Sequence, residues 1–275
     1  MKKLLAIIIC CLLTLITLGQ DKDLLKVSLL HRFTGNITNF ATDNLGDIYL
    51  LNSNNQIKKI NERGDSIAVY NDTKRYGEIF SIDVTNPLKV LVFYKDFATI
   101  VVLDRLLNTR ISIDLRKQNI LQVSAIASSY DNNIWLFDEL DSKLKKIDEK
   151  GNVLLESTDF RQIFDLVPTP KVIYDTDGQL YLYDPKQGLM IFDYYGGKKN
   201  NLQLLHLSDL QVLDKNTITA RDSSHIILYK PATLQLYSFT AFPRQEDFIK
   251  ILFNGNRIYC LNKKGELDLY LVDNK

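Results

Sequence analysis

Histidine and cysteine, which most often supply nucleophiles, general bases and soft metal ligands, are scarce in this sequence. The three histidines, His31, His206 and His225, fall on three different predicted elements, and nothing in the pattern brings them together. We therefore predict no catalytic or metal-binding role for them. Cys260 takes the buried third position of a repeated strand, where other copies carry leucine or valine, which favours a core role over a nucleophilic one.

Aspartates recur at predicted turns, namely Asp43, Asp131, Asp175, Asp177 and Asp222. They could bind calcium or a substrate at the mouth of a channel, but aspartate also bonds its own backbone in tight turns, and repetition favours that interpretation. The sequence contains no nucleophile elbow, zinc-protease, paired-cysteine or phosphate-loop motif. We predict no catalytic residue, no metal site and no cofactor. The alternative is a metal-dependent hydrolase or lyase with ligands from several inner strands.

A short apolar strand pattern recurs six times, at residues 48–50, 90–92, 134–136, 180–182, 226–228 and 258–260. The first five copies begin 42, 44, 46 and 46 residues apart, and the last interval is 32. A four-stranded propeller blade takes about 40–50 residues. Two further apolar positions follow each copy after a turn, which indicates a hairpin. The sequence therefore predicts an all-β fold, a six-bladed β-propeller, as one domain over residues 20–275.

The two ends of the repeat array predict how the ring closes. The sixth repeat runs out of chain after its third strand, while residues 26–33 precede the first repeat without a blade of their own. We predict that this N-terminal strand completes the last blade, since closure removes an open sheet edge. Only residues 240–247 follow the third strand of the fifth repeat, so the fifth blade is predicted to lack its outer strand.

Aromatic residues at shared repeat positions are predicted to fill the space between blades. Two irregular segments are instead candidates for a partner interface, because exposed aromatic and arginine side chains are enriched at interface hot spots. The first is a predicted exposed loop, and the second lies where the outer strand is predicted to be missing. Their candidate residues are Tyr194, Tyr195, Lys198 and Lys199, and Phe242, Arg244 and Phe248. Ordinary loop variation is the alternative interpretation of both segments.

The N-terminus has the layout of a secretory signal peptide: Lys2 and Lys3, an apolar run over residues 4–18, and polar sequence from Gln20. The apolar run is 15 residues long, whereas a membrane-spanning helix needs about 20. We predict that residues 1–19 are cleaved and that the mature chain has no membrane span. An uncleaved anchor and a lipoprotein are the alternatives.

Charge gives no long-range preference for a partner. The 34 basic and 33 acidic residues are mixed along the chain and leave a net charge of +1, so no nucleic-acid or anionic-membrane surface is predicted. Only Cys260 remains after residue 19, so no intrachain disulfide is possible. An exported chain without disulfides suits a bacterial periplasm or cell surface better than a eukaryotic extracellular space, and we predict a periplasmic location. The cell surface or secretion is the alternative location.

The segments DNLGDIYL (43–50), DNNIWL (131–136) and DTDGQLYL (175–182) resemble the blade signature of six-bladed propellers related to the NHL and YWTD groups. The resemblance covers nearly all of the mature chain and implies the fold. It implies little about function, because that superfamily contains binding modules, envelope scaffolds, lactonases and lyases. The single exported propeller is also similar in architecture to periplasmic propeller accessory proteins, such as the plug of the type IX secretion translocon.

We therefore expect a non-enzymatic protein-interaction subunit, or a plug-like accessory, of an outer-membrane complex of the secretion type. Its partner would be a protein of the cell envelope, such as a large outer-membrane protein. The alternative is an enzyme or small-ligand binder that uses the mouth of the central channel, either lactonase-like or lyase-like or glycan-binding, since loops from several blades converge there.

Overall fold

Six four-stranded antiparallel sheets make up the fold in the computed structural model, which describes residues 26–72, 75–240, 242 and 247–272. The predicted signal peptide lies outside the described residues. The strands are β1 (Val27–Phe33), β2 (Ile37–Thr42), β3 (Ile48–Asn52), β4 (Ile57–Ile60), β5 (Ser66–Tyr70), β6 (Ser81–Asp83), β7 (Val90–Tyr94), β8 (Thr99–Leu103), β9 (Thr109–Asp114), β10 (Val123–Ser128), β11 (Ile134–Asp138), β12 (Lys143–Ile147), β13 (Val153–Glu156), β14 (Val172–Thr176), β15 (Gln179–Asp184), β16 (Gly188–Phe192), β17 (Lys198–Leu202), β18 (Ser208–Asp214), β19 (Thr217–Arg221), β20 (Ile226–Lys230), β21 (Gln235–Phe239), β22 (Phe248–Asn254), β23 (Arg257–Asn262) and β24 (Leu267–Val272). Two short 3-10 helices are Leu115–Gln118 and Phe160–Gln162.

The sheets are the blades of a six-bladed β-propeller, as the sequence predicts. Blades 1 to 5 each use four consecutive strands, from β2–β5 to β18–β21, and blade 6 consists of β22, β23, β24 and β1. The first strand of blades 1 to 5, and β22 of blade 6, faces the centre of the ring. No helix in the described part of the chain is long and apolar enough to cross a membrane.

The hydrophobic core lies between neighbouring blades. Every residue of the middle strands β7, β8, β11 and β16 is buried, whereas most of the outer strand β13 is exposed. Trp135 of blade 3, for example, packs in one cluster with Ile173 and Leu182 of blade 4. Because blades stack face to face, both sides of a middle strand are covered, and the strand is apolar throughout rather than alternating.

The N-terminal strand closes the ring, which confirms the prediction. β1 pairs antiparallel with β24, so that Val27 lies opposite Val272 and Phe33 opposite Leu267. The Arg32 guanidinium donates two hydrogen bonds, of 2.6 and 2.8 Å, to the carboxylate of Asp268. This bidentate ion pair fixes the register of the closing strand.

The fifth blade has four strands, so the prediction of a missing outer strand is wrong. Residues 226–228 belong to its third strand, β20, and not to its second, which is β19; the outer strand is β21. Ile218 of β19 then lies 38 residues after Leu180 and 40 before Ile258, in step with the other repeats. The pattern is hidden because Thr219 stands where the other repeats carry a large apolar or aromatic residue.

Candidate functional site

The inner strands enclose a central channel with a cavity of about 670 Å³, to which all six blades contribute. Its walls are mixed, with polar side chains such as Asn39, Asp83, Gln211 and Lys250 among apolar ones. The turns between the first and second strands of the blades surround one end of the channel. We call this end of the ring the first-turn face.

Several polar side chains of the channel bind the free edges of the inner strands. The amide of Gln211 accepts from the N–H of Phe253 at 2.7 Å and donates to its carbonyl oxygen at 3.2 Å. The carboxylate of Asp209 accepts from the N–H of Ile251 at 2.8 Å. Unpaired peptide groups at an inner edge need partners. These side chains therefore hold blades 5 and 6 together, which gives them a structural role.

Lys250 is the channel residue whose side chain is best suited to bind a ligand or take part in a reaction. Its ammonium donates to Oδ1 of Asn39 and to the carbonyl oxygen of Phe40, both at 2.7 Å. Burial lowers the pKa of Lys250 to about 8, although the carboxylate of Asp209 opposes the shift. An amine that titrates near neutral pH can hold an anion when protonated or attack a carbonyl carbon when neutral.

The histidines do not converge on the channel. His31 lies in the closing strand β1, His206 precedes β18, and His225 lies between β19 and β20. None of the described residues that line the channel is a histidine. Among the described residues, no group of three or more histidine, cysteine, aspartate or glutamate side chains could hold a metal ion. Cys260 is fully buried, and burial raises the pKa of its thiol.

Three of the turn aspartates bond the backbone of their own turns, as the turn interpretation predicts. Oδ1 of Asp131 accepts from the N–H of Asn133 at 3.2 Å. Oδ1 of Asp43 accepts from the N–H groups of Leu45 and Asp47, both at 3.0 Å. Oδ1 of Asp222 accepts from the N–H groups of Ser224 and His225, both at 2.7 Å. The shared geometry explains why aspartate recurs at these turns.

Asp175 departs from that pattern, because it joins blades 3 and 4. Its Oδ2 accepts from the hydroxyl of Ser129 and from Nε1 of Trp135, both at 2.9 Å, and from the N–H of Tyr130 at 3.2 Å. Its Oδ1 accepts from the hydroxyl of Tyr194 at 2.7 Å. A carboxylate with four donors holds each of them in place, so this junction is rigid.

Three tyrosines stand on this junction at the first-turn face, and we call Tyr130, Tyr194 and Tyr195 the tyrosine cluster. The rings of Tyr130 and Tyr194 stack with centroids 4.6 Å apart and an angle of 17° between their planes. Tyr130 is 66% exposed and Tyr195 is 85% exposed. The ammonium of Lys146 lies 5.0 Å from the centroid of the Tyr130 ring. Exposed aromatic rings held in fixed positions beside a cation are typical of binding hot spots.

The first predicted interface segment is only partly a loop. Tyr194 and Tyr195 lie in the turn between β16 and β17, and Tyr194 is half-buried. Lys198 and Lys199 lie in β17, so placing them in an exposed loop is wrong, although both side chains are exposed. The ammonium of Lys198 covers the ring of Phe164, 4.0 Å from its centroid.

The second predicted interface segment lies elsewhere in the ring, between blades 5 and 6. Phe242 is 6% exposed and packs against Phe248 and Tyr270, with ring centroids 5.1 and 4.9 Å apart. Its side chain thus serves the core instead of an exposed interface. Phe248 is partly buried in the same cluster. Arg244 lies outside the described residues.

Sequence reasoning missed Tyr130, Lys146 and the bridging role of Asp175. Tyr130 is an aromatic residue in the turn between β10 and β11, which otherwise consists of serine, aspartate and asparagine. That composition is a local signal that could have identified it. Its stacking on Tyr194 joins residues 64 positions apart, and no local pattern shows such a contact.

Comparison with known proteins shows the fold alone. No family model matches the chain, and no curated protein matches it. Among solved structures, a catalytically inactive histidine-to-alanine variant of virginiamycin B lyase from Staphylococcus aureus, solved with quinupristin, is similar with 11% identity and a TM-score of 0.63, over 90% of this chain and 100% of that chain. A streptogramin B lyase is similar with 11% identity and a TM-score of 0.59, over 91% and 88% of the two chains.

A chain of the mitotic checkpoint complex is similar as well, with 8% identity and a TM-score of 0.58, over 86% of this chain and 78% of that chain. Lyases and a checkpoint assembly have different functions, so what they share with this chain is its architecture. The chain is therefore a six-bladed β-propeller whose function has to be argued from its own surface.

Proposed function

We propose that this propeller binds a protein partner through the tyrosine cluster and does not catalyse a reaction. The observation that carries the proposal is the exposed ring of Tyr130, stacked on Tyr194, whose hydroxyl is fixed by Asp175. A rigid aromatic side chain loses little conformational entropy on binding, and such residues dominate the energy of protein interfaces. Tyr195, next to Tyr194, enlarges the same surface.

The other end of the ring also exposes apolar side chains, such as Leu140 at 49% and Leu166 at 67%. Single exposed leucines are common on soluble proteins. The tyrosine cluster differs because Tyr130 is stacked on Tyr194, and Tyr194 is hydrogen-bonded to Asp175, before any partner arrives. This preorganisation favours the first-turn face as the binding surface.

The compartment and the partner belong to the same proposal. The signal-like segment of residues 1–19 supports export, and a single cysteine after residue 19 suits a bacterial envelope better than a eukaryotic extracellular space. We place the protein in the periplasm, with the cell surface or secretion as the alternative. There the propeller would act as an interaction subunit or plug-like accessory of an outer-membrane, secretion-type complex. A stiff ring with one binding face suits that role.

The test is affinity purification of the tagged protein from detergent-solubilised envelopes of its native host, with mass spectrometry. We expect an outer-membrane protein at stoichiometric yield with the wild type. The Tyr130→Ala/Tyr195→Ala variant removes the two exposed rings but spares the bond from Tyr194 to Asp175, and it should lose that protein. The matched control is Leu140→Ala/Leu166→Ala at the other end of the ring, which should retain it.

Two results would contradict the proposal. One is a clean monomer from the wild type; the other is equal recovery of the partner with both variants. Circular dichroism and the melting temperature of each variant show whether it is folded, so a loss of binding can be assigned to the surface.

A channel-mouth enzyme or ligand binder is the second candidate, and Lys250 favours it. Its amine, with a pKa of about 8, lies in a channel with a cavity of about 670 Å³. A thermal-shift scan with calcium, zinc, lactones and sugars tests this candidate, because a ligand that binds only the folded state raises the melting temperature. A rise that Lys250→Met abolishes would support it, and no rise with any compound would count against it.

A further inference from the structure

One position in the second strand of each blade faces the next blade, and five blades carry a large side chain there. These residues occupy equivalent registers in β3, β7, β11, β15 and β23 and are Tyr49, Leu91, Trp135, Tyr181 and Tyr259. Each is at most 2% exposed and lies in a core cluster shared with the following blade. In β19 of blade 5 the same register carries Thr219, opposite Gln211.

Four of these five side chains are rings that carry one polar atom. The hydroxyl of Tyr49 donates to Oδ2 of Asp43 at 3.0 Å, and Nε1 of Trp135 donates to Asp175 at 2.9 Å. The hydroxyl of Tyr181 donates to Oε1 of Gln179 at 2.9 Å. In three blades, therefore, a phenol or indole ring fills the gap and its polar atom has a partner, whereas the buried hydroxyl of Tyr259 in blade 6 has none among the described residues.

Blade 5 leaves this space open, because threonine is much smaller than tyrosine or tryptophan. A cavity of about 430 Å³ lies there, between blades 5 and 6. Its apolar walls are Leu213, Ile226, Leu228, Phe239, Phe253 and Val272. Asn256 and the backbone of Gly255 add polar atoms at the turn of blade 6.

Thr219 adds a second, independent sign of a ligand. It lines the cavity and is 4% exposed, yet its hydroxyl has no hydrogen-bond partner among the described residues. A buried polar group without a partner is costly. Among the described residues, the only other polar side chain of the lining is that of Asn256, so a water molecule would find few of the two to four partners it needs there.

We propose that this cavity is a binding site for a free aromatic molecule that carries one hydrogen-bonding group, of the phenol or indole class. The ring would take the place that tyrosine or tryptophan occupies in other blades, and its polar atom would meet the hydroxyl of Thr219 or the amide of Asn256. The volume is in the range of small-molecule sites, about 300–1,000 Å³. The site lies between blades 5 and 6, away from the tyrosine cluster, and does not depend on the proposed function.

Isothermal titration calorimetry with indole, and with indene, which lacks the ring N–H, tests the site on the full-length protein. The wild type should bind both compounds, and indole more tightly. Thr219→Trp fills the cavity with the side chain found in blade 3, so it should bind neither compound and melt at the same or a higher temperature than the wild type.

Thr219→Val keeps the size of the side chain but removes its hydroxyl. Indole should then bind about two- to tenfold more weakly, the range expected for one hydrogen bond, while the affinity for indene stays the same. This variant also keeps the test decisive if Thr219→Trp does not fold.

A further titration with N-acetyl-L-tryptophanamide separates a free molecule from a side chain of a partner protein. Binding of indole without binding of the amide supports a site for free molecules. Binding of the amide with at least the affinity of indole would contradict a site for free molecules and would indicate that a partner protein inserts a side chain. Equal affinity of the wild type and a folded Thr219→Trp for indole, or no binding of indole to the wild type, would overturn the site itself.

Discussion

Asp175 shows how much of the blade 3–4 junction depends on one side chain. Replacing it by alanine leaves the buried Nε1 of Trp135 and the hydroxyl of Tyr194 without their acceptor. We expect Asp175→Ala to lower the free energy of unfolding by about 3 kcal/mol, because each buried group left unpaired costs about 1–3 kcal/mol. Tyr194→Phe removes one of these bonds and keeps the stack, so it should cost about 1 kcal/mol. Urea unfolding measures both values, and equal losses would contradict the bridging role of Asp175.

Lys250 gives the stability of the protein a defined pH dependence. Its pKa is about 8 in the folded protein, against 10.5 as the ordinary value. Between these values the unfolded chain binds more protons, so stability rises with pH, and the penalty of burying the charged amine is complete below pH 8. We expect a gain of about 2 kcal/mol from pH 8 to 10.5, less than the full shift implies because Lys250 is partly exposed and solvent screens its charge. Urea unfolding of Lys250→Met should lack this gain, and identical slopes for both proteins would contradict the assignment.

The closing strand β1 is the element whose attachment can be tested most directly. Asp268 is 1% exposed, and Arg32 donates both of its bonds across β1 and β24. We expect Arg32→Met to lower the free energy of unfolding by about 2 kcal/mol, because it leaves a buried carboxylate without its cation; the exposed half of Arg32 limits the loss. The double variant Arg32→Met/Asp268→Leu should lose less than the single variant. Additive losses in chemical denaturation would show that the pair has no such coupling.

The elements could be predicted from the sequence wherever a repeat keeps its apolar second strand. Blades 1 to 4 and blade 6 were predictable because large side chains mark the second strand of each. The closing strand was predictable because the sixth repeat lacks a fourth strand and residues 26–33 belong to no other blade. Blade 5 was not, because its second strand carries the small Thr219 at this position. Its third strand, β20, contains two isoleucines and a leucine and resembles the second strand of the other blades. The residue that hides the repeat is therefore the same one that leaves a cavity between blades.

Equivalent strands around the ring are buried to different degrees, and we expect the less buried strands to be locally less stable. The third strands β8 and β16 are buried at every residue, whereas three of the five residues of β20 are partly exposed. We expect the backbone amides of β20 to exchange hydrogen faster than those of β8 and β16, because local opening is easiest where few apolar contacts are lost. Hydrogen exchange with mass spectrometry compares these like-placed strands directly. Uniform protection around the ring would instead indicate one cooperative unit.

The candidate site could be predicted only in part, because it belongs to the whole molecule. Tyr194 and Tyr195 stand out as adjacent aromatic residues in one segment. Tyr130 joins them only after blades 3 and 4 have packed together, through its stack on Tyr194 and its bond to Asp175, contacts that span 64 and 45 positions. A single sequence shows the repeat that builds the blades but not the side chains that meet between them.

The pairing of Val27 with Val272 also determines the order in which the molecule can form. Nearly all of the described chain lies between these two residues, and closing so long a loop carries a large entropic cost. Blades 1 to 5 can form as the chain emerges, but blade 6 is complete only when β24 has been made and has paired with β1. Before that pairing, β24 presents an unpaired edge, which is a template for association with other chains. A newly made chain is therefore most prone to aggregate just before β1 pairs with β24.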